Sequence, residues 1–102
     1  MMRRMELDGA CLTRREQAME HLQERLELPE WWGRNLDALY DCLTEPGEPR
    51  LLVLVDRAAV EGTPFGRRLL RVLEDAAGEN PSLWIEEDGG GDGGADGGEN
   101  RG

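Results

Sequence analysis

Five apolar residues in succession, Leu-Leu-Val-Leu-Val at positions 51–55, lie between polar and turn-forming segments. Such a short unbroken run is typical of a strand that is covered on both faces, as strands of parallel sheets are. Two further strands are predicted, one around Met5 and Leu7, which alternate with Glu6, and one at residues 83–85. The apolar run therefore favours an α/β fold in which helices pack on a parallel sheet.

The sequence between the first two predicted strands contains residues that are typical of helix N-termini. Thr13 and Glu16 have the spacing of a capping box, which predicts a first helix over roughly residues 14–27. Asn35 is a favourable N-cap for a second helix. Two helices are thus expected between the strand near Met5 and the apolar run.

A third helix is predicted between the apolar run and the last strand, preceded by a short helical turn at residues 58–62. Thr63 followed by proline begins this helix, and Gly78 is expected to end it. The order β–α–α–β–α–β requires parallel neighbours joined by right-handed crossovers. We therefore predict a layered α/β fold with a small three-stranded parallel sheet flanked by helices.

The chain is strongly acidic, which restricts its partners. Its 102 residues contain 22 Asp and Glu against 12 Arg, and the formal net charge is −10. Nucleic acids and anionic membrane surfaces are unsuitable partners, because their phosphates require cations gathered on one face. No apolar segment approaches the ~20 residues of a membrane span. A basic protein is the expected kind of partner.

The acidic charge is concentrated at the C-terminus. Residues 86–102 hold six carboxylates and one arginine, and they are rich in glycine. Because this segment has few apolar groups to bury, residues 88–102 are predicted to be a disordered acidic tail. The folded domain is expected to comprise residues 1–87.

Sites for metals, cofactors and catalysis are not indicated by the sequence. His21 is the only histidine, and Cys11 and Cys42 lack metal-ligand spacing. Phosphate-binding glycine motifs and nucleophile motifs are missing as well. The first ten residues do not have the apolar stretch of a secretory signal. We expect a reduced, cytoplasmic protein that has no metal or cofactor and is not an enzyme.

The second predicted helix has two contrasting faces. Leu36, Leu39 and Leu43 recur on one side, whereas Asp37, Asp41 and Glu45 form a stripe on the other. Such a stripe is compatible with a solvated helix face. Its neighbours favour an interface instead, since the tandem tryptophans 31 and 32 precede it and Tyr40 borders it. One of the two tryptophans could alternatively cover the core.

The run LPEWWGRNLDALYDCLT, residues 28–44, closely resembles the central signature of the barstar family, intracellular protein inhibitors of guanyl-specific microbial ribonucleases. The similarity extends from about Met5 to Leu43 and resumes at residues 51–55 and 67–85. It implies a three-stranded parallel sheet with flanking helices. It also implies a monomer that forms a 1:1 complex with a basic ribonuclease.

The resemblance assigns roles to individual residues. Asp41 matches the carboxylate that takes a phosphate position among the catalytic cations, and Asp37 matches a second acid in contact with the nuclease. Asp75 matches an acidic position on the last helix, with Glu79 near the same surface. The partner-binding residues predicted in this way are Trp31, Trp32, Gly33, Asn35, Leu36, Asp37, Tyr40, Asp41, Thr44, Asp75 and Glu79.

Some residues differ from the family pattern. Arg34 stands where an acid is common, Trp31 and Tyr40 replace a tyrosine and a tryptophan, and the loop of residues 45–50 is different. The implied mechanism is active-site blocking by charge mimicry. The alternative is an immunity or interaction module of the same fold that binds a different basic protein or toxin. An enzyme that uses Asp37 and Asp41 as an acid–base pair is disfavoured, because no nucleophile or cation accompanies them.

Overall fold

The computed structural model describes residues 2–88, so the disorder predicted for the rest of the tail lies outside the described residues. Three strands and four α-helices follow the predicted order. Asp88, assigned to the tail from the sequence, is the last residue of the third strand. The elements are β1 (Arg3–Asp8), a 3-10 helix (Gly9–Leu12), α1 (Arg15–Arg25), α2 (Leu36–Thr44), β2 (Arg50–Val55), α3 (Arg57–Glu61), α4 (Pro64–Glu79) and β3 (Leu83–Asp88).

The three strands form one parallel sheet in the order β1-β2-β3. Met5 pairs with Leu52, and Leu52 pairs with Ile85. Because directly paired residues of parallel strands point to the same side, these three residues share one face of the sheet. The predicted layered α/β fold with a small parallel sheet is confirmed.

Within residues 2–88, the helices pack on one face of the sheet only. Leu52 and Leu54 belong to the hydrophobic core that the helices share, whereas Leu51, Val53 and Val55 do not. The prediction that β2 is covered on both faces is therefore wrong. Val53 is nevertheless buried, because it lies in the central strand. A continuous apolar run can thus arise without a second layer of helices.

Two predicted helix boundaries differ in the structure. Thr13 was predicted to cap α1, but the N-cap is Arg14, which makes no side-chain capping bond. Thr13 is instead the C-cap of the preceding 3-10 helix, which ends at Leu12. Gly78 lies within α4, which continues to Glu79 and is followed by Asn80. Among residues 2–88, no helix has the length and apolarity required to cross a membrane.

Candidate protein-binding surface

The approach loop (residues 26–35) joins α1 to α2 and separates the two adjacent tryptophans. Trp32 is only 3% exposed, and its Nε1 donates a hydrogen bond to Gln23 Oε1 at 3.1 Å. Trp31 is 83% exposed. Trp32 therefore anchors the loop to α1. It was predicted to contact a partner, but its side chain is buried in the core. Trp31 carries the exposed aromatic ring of the loop.

The end of the approach loop fixes the start of α2. Gly33 has a φ of 95°, which glycine adopts without strain. A Cβ atom at this position would lie 3.1 Å from the Cβ of Ala38. Asn35 Oδ1 accepts a hydrogen bond from the Ala38 N–H at 2.8 Å, while its Nδ2 donates to the Gly33 carbonyl at 3.2 Å. Gly33 and Asn35, both predicted interface residues, therefore determine the conformation of the loop.

α2 presents its acidic side to solvent, as predicted. Leu39 and Leu43 are completely buried and Leu36 is half-buried, whereas Asp37 and Asp41 are exposed. Among residues 2–88, neither Asp37 nor Asp41 forms an ion pair. Other acids are neutralised within the chain, since Arg57 pairs with Glu61, Glu74 and Glu87. The negative charge of Asp37 and Asp41 thus remains available to a partner.

α4 extends this acidic surface beyond α2. Half-buried Tyr40 lies where the two helices pack together. Burial raises the pKa of Tyr40, and nearby Glu79, Asp75 and Asp41 raise the pKa further. Asp75 and Glu79 are exposed residues of α4. In this surface a neutral phenol lies among carboxylates. We call it the acidic face, and it consists of Asp37, Tyr40, Asp41, Asp75 and Glu79.

Thr44 supports the acidic face from within α2. Its Oγ1 donates to the backbone carbonyls of Tyr40 and Asp41, at 2.9 and 3.2 Å. The hydroxyl therefore satisfies carbonyls in the last turn of the helix, where they have few intrahelical partners. Thr44 is only half-buried, so its methyl group can still contribute to a surface.

Asn80 is a positioning residue that the sequence analysis did not identify. It is 6% exposed, and its Nδ2 donates to the carbonyls of Leu43, at 2.9 Å, and Glu45, at 3.3 Å. Its Oδ1 accepts from the Ser82 N–H at 3.0 Å. This one side chain joins the end of α4 to the end of α2, and so links the two halves of the acidic face. The sequence offers little to identify it, because Asn80 lies two residues beyond Gly78, where the helix was predicted to end.

The other chemically versatile side chains have local roles. His21 Nε2 accepts a hydrogen bond from the Asp8 N–H at 2.9 Å. Burial, with a smaller contribution from Arg25, lowers the pKa of His21. Cys11 and Cys42 are free thiols, and burial raises the pKa of each, which disfavours the nucleophilic thiolate. Within the described range 2–88, no cluster of three or more His, Cys, Asp or Glu could hold a metal ion.

The predicted site residues therefore divide into two groups. The exposed group comprises Trp31, Asp37, Asp41, Asp75 and Glu79. The second group, the buried ring of Trp32 and the hydrogen bonds of Asn35 and Thr44, stabilises the approach loop and α2. The acids of the exposed group lie on two helices, α2 and α4, that pack against each other.

Comparison with known proteins identifies the family. The sequence model described as Barstar (barnase inhibitor) matches residues 2–88. The chain is also 44% identical over 73 residues to "Putative ribonuclease inhibitor YrdF" from Bacillus subtilis (strain 168), a match that covers 72% of this chain and 80% of that protein. The family is one of inhibitors rather than enzymes, as predicted. The chain belongs to the barstar family.

Proposed function

We propose that this protein is a cytoplasmic inhibitor of a guanyl-specific microbial ribonuclease. It forms a 1:1 complex in which the approach loop and α2 occupy the active site of the enzyme. Membership of a family described by barnase inhibition supports this function, as does similarity to a protein named as a ribonuclease inhibitor.

The observation that carries the proposal is that the two aspartates on α2 are exposed and unpaired within the described residues. Asp37 and Asp41 are exposed and form no ion pair within residues 2–88. An enzyme that cleaves a phosphodiester holds cationic groups where negative charge develops in the transition state. Carboxylates on a packed helix can neutralise those groups with little loss of conformational entropy. Asp41 would thus take the place of an RNA phosphate.

Two aromatic side chains complement the charges. Trp31 offers an indole ring that is 83% exposed, and such rings are enriched among the residues that dominate binding energy. Tyr40 is protonated at neutral pH, as tyrosine ordinarily is, and burial and nearby carboxylates raise its pKa further. Its hydroxyl can therefore donate a hydrogen bond to the enzyme. Asp75 and Glu79 extend the negative surface over a wider cationic cleft.

Inhibition of RNA cleavage tests the proposal directly. Purified protein is titrated into barnase and other guanyl-specific ribonucleases, and cleavage of a guanosine-containing RNA is followed. We expect stoichiometric inhibition of at least one enzyme, with Asp41→Ala much weaker than the unmodified protein. Glu86→Ala is the matched control, because Glu86 is exposed, pairs with Val53, and so lies on the face of the sheet without helices. Failure to inhibit any of these enzymes would refute the proposal.

Arg34 favours a second candidate function, because it lines a depression that shares Arg15 with the groove of Asp37 and Asp41. In this alternative the protein neutralises a different basic protein or toxin. The two functions differ in one measurement, namely whether the bound partner cleaves RNA. A tightly bound basic partner without ribonuclease activity would support the alternative.

A further inference from the structure

Three arginines gather at one place on this otherwise acidic molecule. Arg14, Arg15 and Arg34 line an open depression between the start of α1 and the approach loop. Glu16 and Glu20 line the same depression, yet none of the three arginines forms an ion pair with a residue in the range 2–88. This cluster is here called the basic patch; its three arginines outnumber the two carboxylates that line the same depression.

The basic patch adjoins the acidic face directly. Arg15 lines the depression of the basic patch and also a neighbouring groove to which Asp37 and Asp41 contribute. Arg15 nevertheless forms no ion pair with either aspartate. A partner that covers α2 must consequently meet negative charge on one side of this groove and positive charge on the other.

Arg34 is held in a defined position within the patch. Its φ of 52° lies in the left-handed region, which is unfavourable for residues with a side chain. Its Nε donates to Gln23 Oε1 at 3.2 Å, and the same oxygen accepts the indole N–H of buried Trp32. The two terminal nitrogens of Arg34 make no hydrogen bond to a described residue. The guanidinium group is therefore oriented by its Nε while its outer edge remains free. Strained backbone held in place by its surroundings is common where proteins clamp ligands.

We infer that Arg34, flanked by Arg15, binds a carboxylate of the target enzyme at the rim of its cationic cleft. This inference rests on the proposed function and names the kind of ribonuclease that the protein selects. The paired donors of a guanidinium match the two oxygens of a carboxylate. Enzymes with a basic rim are rejected by like-charge repulsion, which provides specificity.

An RNA phosphate is the other anion that a guanidinium could bind. The position of the patch disfavours it, because Asp37 and Asp41 lie in the adjoining groove and the chain carries a net charge of −10. A polyanion that approached Arg34 would therefore be repelled by its surroundings. An enzyme with a carboxylate at the rim of a cationic cleft would complement both the basic patch and the acidic face.

The test compares two charge reversals in inhibition assays with barnase and other guanyl-specific ribonucleases. Arg34→Glu alters the patch, and Arg4→Glu makes the same change in net charge on the sheet face without helices, where Arg4 pairs with Leu51. Long-range attraction to a basic enzyme would make both variants bind equally well or better. We instead expect Arg34→Glu to raise the inhibition constant of the best-inhibited enzyme by about tenfold or more, as for loss of a desolvated charge pair. Arg4→Glu should not weaken inhibition.

A second variant separates binding from folding. Arg34→Gly removes the guanidinium, while glycine adopts the positive φ freely, so a loss of inhibition by this variant cannot be attributed to backbone strain. Unfolding of the variant in urea shows whether loss of the bond to Gln23 has destabilised the protein. The inference is overturned if Arg34→Glu inhibits as well as Arg4→Glu while Asp41→Ala is impaired, a result that leaves the proposed function intact. Inhibition of none of the enzymes overturns both. Binding of a guanosine-containing oligonucleotide to the free protein that depends on Arg34 would overturn the assignment of a carboxylate.

Discussion

The side chain of Asn80, directly after α4, donates a hydrogen bond to the backbone carbonyl of Leu43 in α2 at 2.9 Å. The two residues are 37 positions apart in the sequence, and the bond is buried. The same Asn80 nitrogen also donates a hydrogen bond to the carbonyl of Glu45. The amide of Asn80 thus adds a polar link to the apolar packing that holds α2 against α4 and so supports the acidic face.

Replacing Asn80 should therefore destabilise the protein and weaken binding. In Asn80→Ala the Glu45 carbonyl and the Ser82 N–H lose this partner, whereas the Leu43 carbonyl keeps its bond from Arg50 at 3.2 Å. Loss of such a partner from a buried polar group typically costs about 1–3 kcal/mol. Urea unfolding of the variant measures the change in free energy. Glu79→Ala is the control for stability, since exposed side chains usually contribute within about 0.5 kcal/mol. An unchanged midpoint for Asn80→Ala would show that the link is dispensable.

The adjacent tryptophans should respond to substitution in opposite ways. Trp32→Ala removes a buried ring and its bond to Gln23, with an expected loss of stability of about 3–5 kcal/mol. Trp31→Ala should leave stability within about 0.5 kcal/mol but weaken enzyme binding by about 2 kcal/mol or more. Urea unfolding and inhibition assays on both variants measure the two effects. Equal losses of stability would contradict the structure.

Asp41 should be the most sensitive acid of the surface. We expect Asp41→Ala to weaken ribonuclease binding by about 2–5 kcal/mol, because a buried interfacial charge pair loses one member and leaves a cation of the enzyme unpaired. The inhibition constant measures this loss, with Glu86→Ala as the control that changes the net charge equally. An identical constant for the two variants would contradict charge mimicry.

The acidic residues beyond β3 should affect the rate of association more than the final affinity. Deleting residues 89–102 removes a net negative charge but leaves every element of the described fold in place. Association with a basic enzyme should become slower and less dependent on salt, while inhibition at equilibrium stays nearly intact. Stopped-flow mixing at two salt concentrations measures the effect. Loss of inhibition on deletion would show that the segment has a direct binding role.

His21 should make the fold less stable in mildly acidic solution. Burial lowers the pKa of His21 in the folded protein. As the pH falls below the ordinary histidine value of about 6.5, the unfolded chain binds a proton before the folded chain does, so folding stability declines. Protonation also removes the acceptor for the Asp8 N–H.

Unfolding in urea at pH 7.5 and pH 5.5 tests this dependence. Glutamine can accept the same backbone hydrogen bond and does not titrate, so His21→Gln should lose less stability between the two pH values than the unmodified protein. Parallel pH profiles for the two proteins would show that other groups dominate.

Local patterns predicted the parts of the structure that depend on local geometry. The alternation of leucines and acids along α2 placed Asp37 and Asp41 on the outer side, because helix periodicity alone determines which residues share a face. The parallel direction of the strands followed from the order of the elements and the handedness of their connections. The α/β fold and the exposure of these acids could thus be read from the sequence.

Contacts between distant segments could not be predicted in the same way. Trp31 and Trp32 are identical neighbours in a loop, and the bond to Gln23 on α1 decides which of them is buried. The link from Asn80 to Leu43 has no local signature either. Thr13 was mistaken for the cap of α1 because the 3-10 helix before it was not foreseen.

The contrast between Trp31 and Trp32 also gives the protein an internal optical reporter. An indole in water emits at longer wavelength than one in an apolar setting, and here the two settings occur on consecutive residues. A partner that covers the approach loop would shift the emission of Trp31. The emission of buried Trp32, and that of Trp84 on the sheet face without helices, would stay unchanged. Complex formation can thus be followed by the colour of the protein's own fluorescence, without a dye or a tag.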